Sequence, residues 1–396
     1  MKKMYLPENV KYIISALNSK GYRADAVGGC VRDFLLGKTP FDYDITTNAT
    51  PDEMKRVFSD EHLIETGIKH GTLTLILNGE PYEITTYRLD GEYSDNRRPD
   101  SVYFTRELAE DLARRDFTVN AMCYNDDEGY TDLFSGMSDL KACVIRAVGD
   151  AELRFSEDAL RIMRAIRFAS VLNFEIDKNT ATAVHKLKGL LKNVSYERIC
   201  IEWRKLVGGV NAYKIISEYE DVVLEIIPEL LCICLPEEKR FSAASGDIRE
   251  LSLFAMADRH NASKLFASAM DRMKSDGAHK KIGISVLENI DKKIENSIDI
   301  KLLLMKLGES ATQKLLALKV LLGEAESYVI EELNHILENG EPYRLSELKI
   351  NGNDIKRLGI SGEAVGKILE KLLIKVICGE VINEREELLA AVTKGD

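Results

Sequence analysis

Apolar residues before about residue 150 follow both helical and alternating spacing, whereas helical spacing predominates after it. In the first part, residues 7–20 carry apolar side chains at helical spacing and predict an amphipathic helix. Residues 23–27 form a short apolar run that predicts a strand. Residues 71–88 alternate on either side of Asn78 and Gly79, a pair typical of a tight hairpin turn. This part therefore predicts a small mixed sheet with helices.

Beyond residue 150 the strand pattern almost disappears and helical spacing replaces it. The segments that predict long helices are residues 156–172, 179–191, 196–207, 298–307, 311–322 and 365–376. We therefore predict an α+β fold, with a small mixed-sheet head followed by an extended all-helical remainder. The expected regions are a head over 1–148, a helical neck over 149–210, a helical body over 211–335 and a helical tail over 336–396.

The composition is that of an ordinary globular protein, with 45% hydrophobic and 30% charged residues among 396. No apolar run approaches the roughly 20 residues that a membrane span needs, and we expect no signal peptide and no membrane partner. Seven scattered cysteines favour a reduced cytoplasmic protein. The net charge of −11 argues mildly against nucleic acid, but residues 151–210 hold eleven basic against seven acidic side chains. That local basic stripe is compatible with RNA binding.

Two glycines and two aspartates mark the first candidate site. Gly28 and Gly29 follow a predicted strand and precede a short predicted helix, where the backbone approaches a ligand closely and N–H groups face an anion. Asp42 and Asp44 stand two residues apart on the next predicted strand, so both carboxylates project from one face. Such a pair suits Mg²⁺, which fills its other positions with water and phosphate oxygens. The combination predicts a metal-dependent nucleoside triphosphate site, although an aspartate pair alone also occurs at solvated strand ends.

Two further groups of polar residues are candidates for the same site. Glu83, on the second strand of the predicted hairpin, could bring a third carboxylate to the metal or could be an ordinary exposed acid. Arg114, Arg115 and Asp116 stand in one short run with Asn120. Arginines suit phosphate oxygens and an aspartate can accept from ribose hydroxyls, whereas the alternative is a salt-bridged helix surface.

Asp158 and Arg161 form the third candidate group. Ser156 is a plausible cap, and Glu157 and Asp158 would fall in the first turn of the helix that follows it. Asp158 and Arg161 are three residues apart and would share a face. A carboxylate acceptor beside a planar donor matches the edges of cytosine and adenine and excludes uracil and guanine, which present a carbonyl there. The alternative is a helix that is simply stabilised by acids at its start and bases further along.

These motifs, in this order, resemble those of the class II tRNA nucleotidyltransferases. That family comprises the CCA-adding enzymes of the DNA polymerase β superfamily, together with their poly(A) polymerase relatives. The motifs are Gly-Gly-x-Val-Arg-Asp from Gly28, Asp-x-Asp from Asp42, Arg-Arg-Asp-Phe-Thr-x-Asn-Ala from Arg114 and Glu-Asp-x-x-Arg from Glu157. The resemblance is dense over residues 22–208, loose in the tail and weak over 210–340.

The resemblance implies a nucleotidyltransferase head and a role for each matching residue. Asp42 and Asp44 would be catalytic and would hold Mg²⁺, the one metal expected, with Glu83 as a further candidate ligand. The implied nucleotide-binding residues are Gly28, Gly29, Arg32, Arg115, Asp116, Asn120, Glu157, Asp158, Arg161 and Arg164. Of these, Asp158 and Arg161 would select the base, and Glu157 would orient Arg161.

The activity that the resemblance implies is template-independent addition of CCA to tRNA from CTP and ATP, with release of pyrophosphate. A-adding, CC-adding and poly(A)-polymerising relatives carry nearly the same motifs and stay open as alternatives. CC-adding members typically have a shortened loop corresponding to residues 88–106, which is full length here. A non-catalytic RNA-binding module on the same fold is the alternative of a different class, and the carboxylate pair argues against it. The lack of any His-Asp dipeptide argues against an appended phosphohydrolase.

Overall fold

The structure is a computed structural model that describes residues 3–91 and 101–393. The chain divides into two compact units, Met1–Pro228 and Glu229–Asp396. Within the described ranges, no helix is both long enough and apolar enough to cross a membrane. The polar loop predicted around residues 89–100 lies mostly outside the described residues.

A seven-stranded mixed sheet forms the framework of the first unit. The strands are β1 Ala24–Val27, β2 Asp44–Thr47, β3 His62–Ile64, β4 Thr72–Leu77, β5 Glu80–Thr86, β6 Arg88–Asp90, β7 Val102–Phe104, β8 Met122–Asn125, β9 Gly129–Asp132, β10 Val144–Ile145 and β11 Glu175–Ile176. The large sheet has the order β3-β4-β5-β2-β1-β8-β9, with β2 and β5 parallel and the other neighbours antiparallel. β6 pairs with β7, and β10 pairs with β11. The predicted mixed-sheet head is confirmed.

The hairpin of β4 and β5 shows why the sequence forms this sheet. Asn78 and Gly79 connect the strands with φ angles of 54° and 82°, the left-handed conformation that a two-residue turn between twisted strands requires. Along β4 the side chains of Leu73, Leu75 and Leu77 are buried while their neighbours are partly exposed. The alternation fixes the register, because a slip of one residue would turn the leucines to solvent.

The helices of the first unit surround the sheet and continue beyond it. They are α1 Glu8–Ser19, α2 Gly29–Leu35, α3 Pro51–Val57, α4 Leu108–Ala113, α5 Gly136–Ala142, α6 Ala151–Glu157, α7 Leu160–Leu172, α8 Lys178–Leu187, α9 Tyr196–Val207, α10 Ala212–Glu218 and α11 Glu220–Ile226. Short 3-10 turns occupy Ile68–His70, Thr118–Asn120, Lys188–Asn193 and Pro228–Leu230. α3 begins with a complete capping box between Thr50 and Glu53, with Pro51 as its first residue.

The prediction of one continuous helix over residues 156–172 is wrong. Residues 156–172 form parts of two helices, α6 and α7, because Asp158 adopts an extended conformation with φ −129° and ψ 102°. Ser156 lies inside α6 and donates its hydroxyl to the carbonyl of Glu152, so it caps no helix start. Sequence periodicity missed the break because apolar residues continue in phase on both sides of it. The break changes the position of Asp158 in the candidate site.

The second unit is built from helices in the range that the structure describes. They are α12 Glu238–Ala243, α13 Gly246–Ala257, α14 Ala262–Arg272, α15 Gly277–Glu288, α16 Ser297–Leu307, α17 Glu309–Leu322, α18 Tyr328–Glu338, α19 Gly352–Arg357, α20 Glu363–Ile377 and α21 Arg385–Thr393, with a 3-10 turn at Leu345–Glu347. One buried cluster includes Leu304, Leu316 and Leu333 from α16 to α18. Another includes Ile355 and Leu373 from the last helices. The boundaries of the four predicted regions stay a prediction.

Candidate active site

The glycine turn between β1 and α2 requires glycine for two reasons. Gly28 has φ 79° and ψ −123°, a conformation that residues with a side chain rarely adopt. Its N–H donates to the carbonyl of Met122 at 3.0 Å, which ties the turn to β8. A Cβ at Gly28 would lie 3.2 Å from Nη1 of Arg115. The guanidinium of Arg115 therefore lies against the backbone of Gly28, and Gly29 is the first residue of α2. This geometry places positive charge where the sequence predicted a triphosphate.

The carboxylate pair lies beside this turn. β2 begins at Asp44, which is paired with Val27, the residue before Gly28. Asp42 precedes β2, so the prediction that both aspartates lie on the strand was wrong. Both side chains are nevertheless exposed, and their oxygens form no hydrogen bond or ion pair with the residues that the structure describes. The two carboxylates are therefore available to a ligand.

The electrostatics of Asp44 indicate a place for a cation. The pKa of Asp44 is raised, first because the surrounding protein removes water from the part of the carboxyl that is not open to solvent. The negative charges of Asp42 and Glu83 raise this pKa further, while Arg115 acts in the opposite direction. A divalent cation would relieve this repulsion, and two carboxylates that leave room for water and phosphate oxygens suit a hard ion.

Glu83 influences the pair through its charge, and its role as a metal ligand stays a prediction. Among the described residues, no three or more His, Cys, Asp or Glu side chains come together in a group that could hold a metal ion. The protein thus offers two carboxylates at this place, and a cation there would complete its coordination with water or with oxygens of a bound substrate.

Asp116 differs from this pair because all of its oxygens have partners. One oxygen accepts from Nε and Nη2 of Arg164, at 2.7 and 2.5 Å. The other accepts from Nδ2 of Asn120 at 3.1 Å, and Oδ1 of Asn120 accepts from Nη1 of Arg32 at 2.6 Å. Burial alone would raise the pKa of Asp116, but Arg164 and Asn120 outweigh burial and lower it to about 2. Four residues predicted from three separate motifs are therefore joined in one chain of hydrogen bonds.

Arg115 is held by Asp111, which the sequence analysis did not single out. Asp111 is fully buried, and its carboxylate accepts from Arg114 at 2.7 Å, from Arg115 at 3.4 Å and from the Thr46 hydroxyl at 3.1 Å. Nε of Arg115 is buried and has no hydrogen-bond partner in the described part of the chain. A buried donor of this kind needs an explanation, and an anionic ligand supplies one. Asp111 precedes the arginines by three and four residues, and that spacing was the signal that could have revealed it.

Asp158 lies at the break between α6 and α7, not in the first turn of a helix. One of its oxygens accepts from the N–H of Leu160 and the other from Nη2 of Arg198, both at 3.1 Å. Arg198 belongs to α9, so a distant helix fixes the direction of the Asp158 carboxylate. Nη1 of Arg198 is buried and lacks a partner among the described residues. The sequence placed Arg198 in a predicted helix, residues 196–207, but gave no indication of this contact.

Arg161 is positioned by a different set of partners. Its Nη1 donates to Glu157 at 2.9 Å and to the carbonyl of Arg154 at 3.1 Å, and its Nη2 donates to the carbonyl of Arg114 at 2.8 Å. The structure thus places Glu157 against Arg161, as the expected orienting role requires. It also links the helix carrying Arg161 to the segment that carries Arg115. The roles of Asp158 and Arg161 in base selection stay predictions.

Part of the predicted basic stripe points inward: two of its eleven basic residues are buried, whereas five are exposed. Arg167 is buried and donates to Glu202 at 2.7 Å. The ring of Phe168, a residue without any sequence signal, has the guanidinium of Arg167 at 3.4 Å from its centroid, that of Arg32 at 5.1 Å and that of Arg164 at 5.2 Å. These arginines form contacts inside the protein and do not present an open surface to RNA.

Comparison with known proteins agrees with this geometry. The family described as Poly A polymerase head domain matches residues 24–146, which contain the glycine turn, the carboxylate pair and Asp116. The family described as Probable RNA and SrmB-binding site of polymerase A matches residues 173–230. A third family, tRNA nucleotidyltransferase domain 2, matches residues 252–392.

Full-length relatives carry one common name. A CCA-adding enzyme of Leuconostoc mesenteroides is 35% identical over 98% of this chain and 97% of its own length. A CCA-adding enzyme of Ligilactobacillus salivarius is 35% identical over 96% and 95%. The crystal structure of the Bacillus stearothermophilus CCA-adding enzyme in complex with CTP covers 99% of this chain and 98% of that one, with 30% identity and a TM-score of 0.80. The chain therefore belongs to the CCA-adding enzymes, the class II tRNA nucleotidyltransferases, whose members generally depend on a divalent metal.

Proposed function

We propose that this chain adds C, C and A in turn to the 3′ end of tRNA, using CTP and ATP. The observation that carries the proposal is the arrangement of three groups within the first unit. Arg115 acts electrostatically on Asp44 of the carboxylate pair, Asp116 beside it pairs with Arg164, and the carbonyl of Arg114 accepts from Arg161. The carboxylate pair can support phosphoryl chemistry, and the helix of Arg161 can recognise a base. The names of the full-length relatives, and the CTP in one of their structures, support the same assignment.

The proposed metal is Mg²⁺, held by Asp42 and Asp44. When bound, Mg²⁺ lowers the pKa of an attacking hydroxyl and balances the charge that develops on the leaving pyrophosphate. The chain itself contributes two carboxylates that are exposed and form no hydrogen bond or ion pair with the residues that the structure describes. Because burial and the charge of Asp42 raise the pKa of Asp44, a cation held by these two residues would stabilise the ionised form of Asp44.

The glycine turn and its arginines would bind the triphosphate. Arg115 offers the unpartnered Nε, and Gly28 and Gly29 leave room for phosphate oxygens to approach the backbone. The 3′-oxygen of tRNA would bond to the α-phosphorus while the bond from that phosphorus to the oxygen of the leaving pyrophosphate breaks. Positioning and fixed charge would supply most of the acceleration. Asp116 stays ionised at neutral pH and keeps Arg164 in place, close to where the ribose would lie.

Asp158 and Arg161 would choose the base. A carboxylate that accepts from an exocyclic amino group, next to a guanidinium that donates to a ring nitrogen, matches cytosine and adenine. Arg198 would fix the acceptor, and Glu157 would fix the donor. Uracil and guanine would place a carbonyl against the Asp158 carboxylate, which leaves both acceptors unpaired.

We propose a division of labour along the chain. The head, residues 1–148, would carry the reaction; the neck, 149–210, would select the base; the tail, 336–396, would hold tRNA, with the body, 211–335, between neck and tail. RNA would be recognised largely by its shape and phosphates. The proposed location is the cytoplasm, where tRNA and both nucleotides are at hand.

A direct test supplies a tRNA transcript without its 3′ CCA, Mg²⁺ and one labelled nucleotide at a time. Incorporation of C from CTP, followed by A from ATP once C is present, supports the proposal. Incorporation of A alone, onto a transcript that already ends in CC, would assign the A-adding activity instead. C without A would indicate the CC-adding relative, and a long run of A would indicate poly(A) synthesis. Binding without any incorporation would leave only an RNA-binding module.

A further inference from the structure

Two cysteine side chains meet in the second unit, whereas the candidate active site belongs to the first. Sγ of Cys232 and Sγ of Cys234 lie 3.7 Å apart, a distance at which one thiol hydrogen-bonds to the other. Cys232 is exposed and Cys234 is half-buried. The two thiols are therefore in contact, and at least one of them is open to solvent.

The other five cysteines stand in different surroundings. Cys30, Cys123 and Cys200 are buried, and Cys378 is half-buried. Burial raises the pKa of the Cys30 thiol to about 12 and also raises the pKa of Cys123, so neither forms the reactive thiolate at neutral pH. Cys143 is exposed, but its nearest cysteines in the chain, Cys123 and Cys200, are both buried. The pair in the second unit therefore combines an exposed thiol with a second thiol in contact with it.

The backbone around the pair is suited to a bond between the two sulfurs. Leu230 and Pro236 are buried on either side, while residues 231–237 adopt neither helix nor strand. A disulfide joins sulfurs at about 2.05 Å and Cα atoms at about 4.4–6.8 Å, and Cα atoms two residues apart in a chain are separated by at most about 7 Å. The sulfurs must therefore approach by about 1.7 Å from their 3.7 Å separation. Because the stretch belongs to no helix or strand, this movement disrupts no regular pattern of backbone hydrogen bonds.

A metal site would be the other common use of two neighbouring cysteines. A structural zinc ion takes four protein ligands, and the structure describes no group of three or more His, Cys, Asp or Glu side chains that could hold a metal ion. We propose instead that Cys232 and Cys234 form a dithiol that a small-molecule disulfide oxidises reversibly to an intramolecular disulfide. This modification is separate from the proposed function, because none of the residues assigned to nucleotide addition takes part in it.

The reaction consists of two thiol–disulfide exchanges. The thiolate of Cys232, the more exposed of the two, bonds to one sulfur of the small-molecule disulfide, whose S–S bond breaks to release one thiol. The thiolate of Cys234 then bonds to Sγ of Cys232, and the mixed disulfide breaks to release a second thiol. The two protons lost by the cysteines end on the two released thiols, and the two electrons lost by the protein reduce the small molecule.

Glutathione disulfide tests the site on the full chain, with mass spectrometry as the readout. In the untreated protein, N-ethylmaleimide should label both Cys232 and Cys234; after treatment, the peptide that contains them should carry an internal disulfide and no label. Excess reduced glutathione should restore both labels, because a ring that includes a single residue between the cysteines constrains the unfolded chain little and leaves the bond easily reduced. Two thiols that stay labelled, or glutathione that remains on Cys232 as the final product, would overturn the proposal.

Cys234→Ser separates closure of the ring from simple oxidation of an exposed thiol. It removes the thiolate that displaces glutathione, so the variant should hold about 10-fold more glutathione at Cys232 than the parent after the same treatment. Cys143→Ser, at another exposed cysteine, is the control and should form the internal disulfide as the parent does. Equal glutathione at Cys232 in Cys234→Ser and in the parent would reject the proposal. No step uses nucleotide incorporation, so the result does not depend on the proposed function.

Discussion

Asp44 and Asp116 are two aspartates of the same unit whose surroundings act in opposite directions. Asp44 is open to solvent on one side, and its pKa is raised, first by burial of the rest of the carboxyl and then by repulsion from Asp42 and Glu83. Asp116 is buried, bound by Arg164 through both nitrogens of one edge, and has a pKa of about 2. The comparison shows that partners, not burial, decide whether a carboxylate is available. Among the described residues, Asp44 has no ion-pair partner, whereas Asp116 is paired with Arg164.

The same contrast extends to the residues around each aspartate. Near Asp116, Glu202 pairs with Arg167, and the guanidiniums surround Phe168. These groups are buried, and a buried ion pair contributes more to a defined arrangement than to net stability. Near Asp44, the unpartnered Nε of Arg115 adds a donor that no described residue accepts. The polar groups near Asp116 are therefore paired with one another, whereas a buried donor near Asp44 has no partner among the described residues.

The largest effect is expected from removing a catalytic carboxylate. Asp42→Ala should lower nucleotide incorporation by roughly 10³-fold or more, since a bound metal ion contributes several kcal/mol to transition-state stabilisation. Binding of tRNA should change less than 2-fold, because Asp42 forms no hydrogen bond or ion pair within the described ranges whose loss would disturb the fold. Rates and filter binding measure the two quantities. Asp60→Ala, at an exposed aspartate of the same unit, is the control, and parental activity in Asp42→Ala would contradict the metal role.

Breaking the paired aspartate should mainly affect stability. Asp116→Asn removes the closest ionic partner of the Arg164 guanidinium, whose side chain is 32% exposed and which keeps Glu202 at 3.9 Å, so the free energy of unfolding should fall by about 1–3 kcal/mol. Urea denaturation at neutral pH measures this loss. The double variant Asp116→Asn with Arg164→Met removes both charges and should recover part of it. A single-variant loss below about 0.5 kcal/mol would show that the pair is not a structural element.

Base selection should respond to Asp158 and, more weakly, to its support. Asp158→Ala should raise incorporation of UTP and GTP relative to CTP and ATP by about 10-fold or more, as expected when an acceptor worth about 1–3 kcal/mol is lost. Arg198→Met should raise it only a few-fold, since Asp158 keeps its carboxylate but loses one anchor.

Competition assays with all four nucleotides give these ratios. Arg198→Lys, which retains a cation, should restore part of the selectivity. Arg204→Met is the control, because it removes an arginine from the same helix at a different position. Unchanged rejection of UTP and GTP in Asp158→Ala would count against the template role.

The smallest expected effect is a gain in stability from a catalytic residue. Because the folded-state pKa of Asp44 is raised, its ionisation destabilises the folded protein at every pH above that pKa. Asp44→Asn should therefore raise the Tm slightly at pH 7, and the gain should vanish as the pH falls below about 3.9, where the aspartate is protonated in both states. Thermal unfolding between about pH 3 and pH 7.5, without metal, measures how this difference in Tm depends on pH. A lower Tm for Asp44→Asn at pH 7 would contradict the assignment.

The sequence predicted the elements of the head well because their signals are local. The helix over residues 7–20 and the hairpin at Asn78 and Gly79 depend on neighbouring residues, as does the helix beyond the head that carries Arg198. The break at Asp158 was missed because apolar residues continue in phase on both sides of it, and the contact of Asp158 with Arg198, forty residues away in the chain, leaves no local signal. Sequence spacing alone cannot reveal such a contact.

The candidate site was predicted as residues but not as a network. Motifs named Arg32, Asp116 and Arg164 separately, and the structure joins them through Asn120 and the ring of Phe168. Asp111 was missed although its spacing to the arginines was a usable signal, whereas Phe168 had none. The sequence therefore identified most residues of the candidate site, but it did not show how they contact one another.

The most direct test of the central claim is the 3′-end sequence of the product. A tRNA transcript that lacks CCA is incubated with the parent protein, Mg²⁺ and all four nucleoside triphosphates at equal concentration, and the extended ends are sequenced. The account predicts that most products end in CCA and stop there, because one site joins the nucleotides and Asp158 with Arg161 rejects U and G. Ends that are unextended, that contain U or G at random, or that continue as a run of A would contradict it.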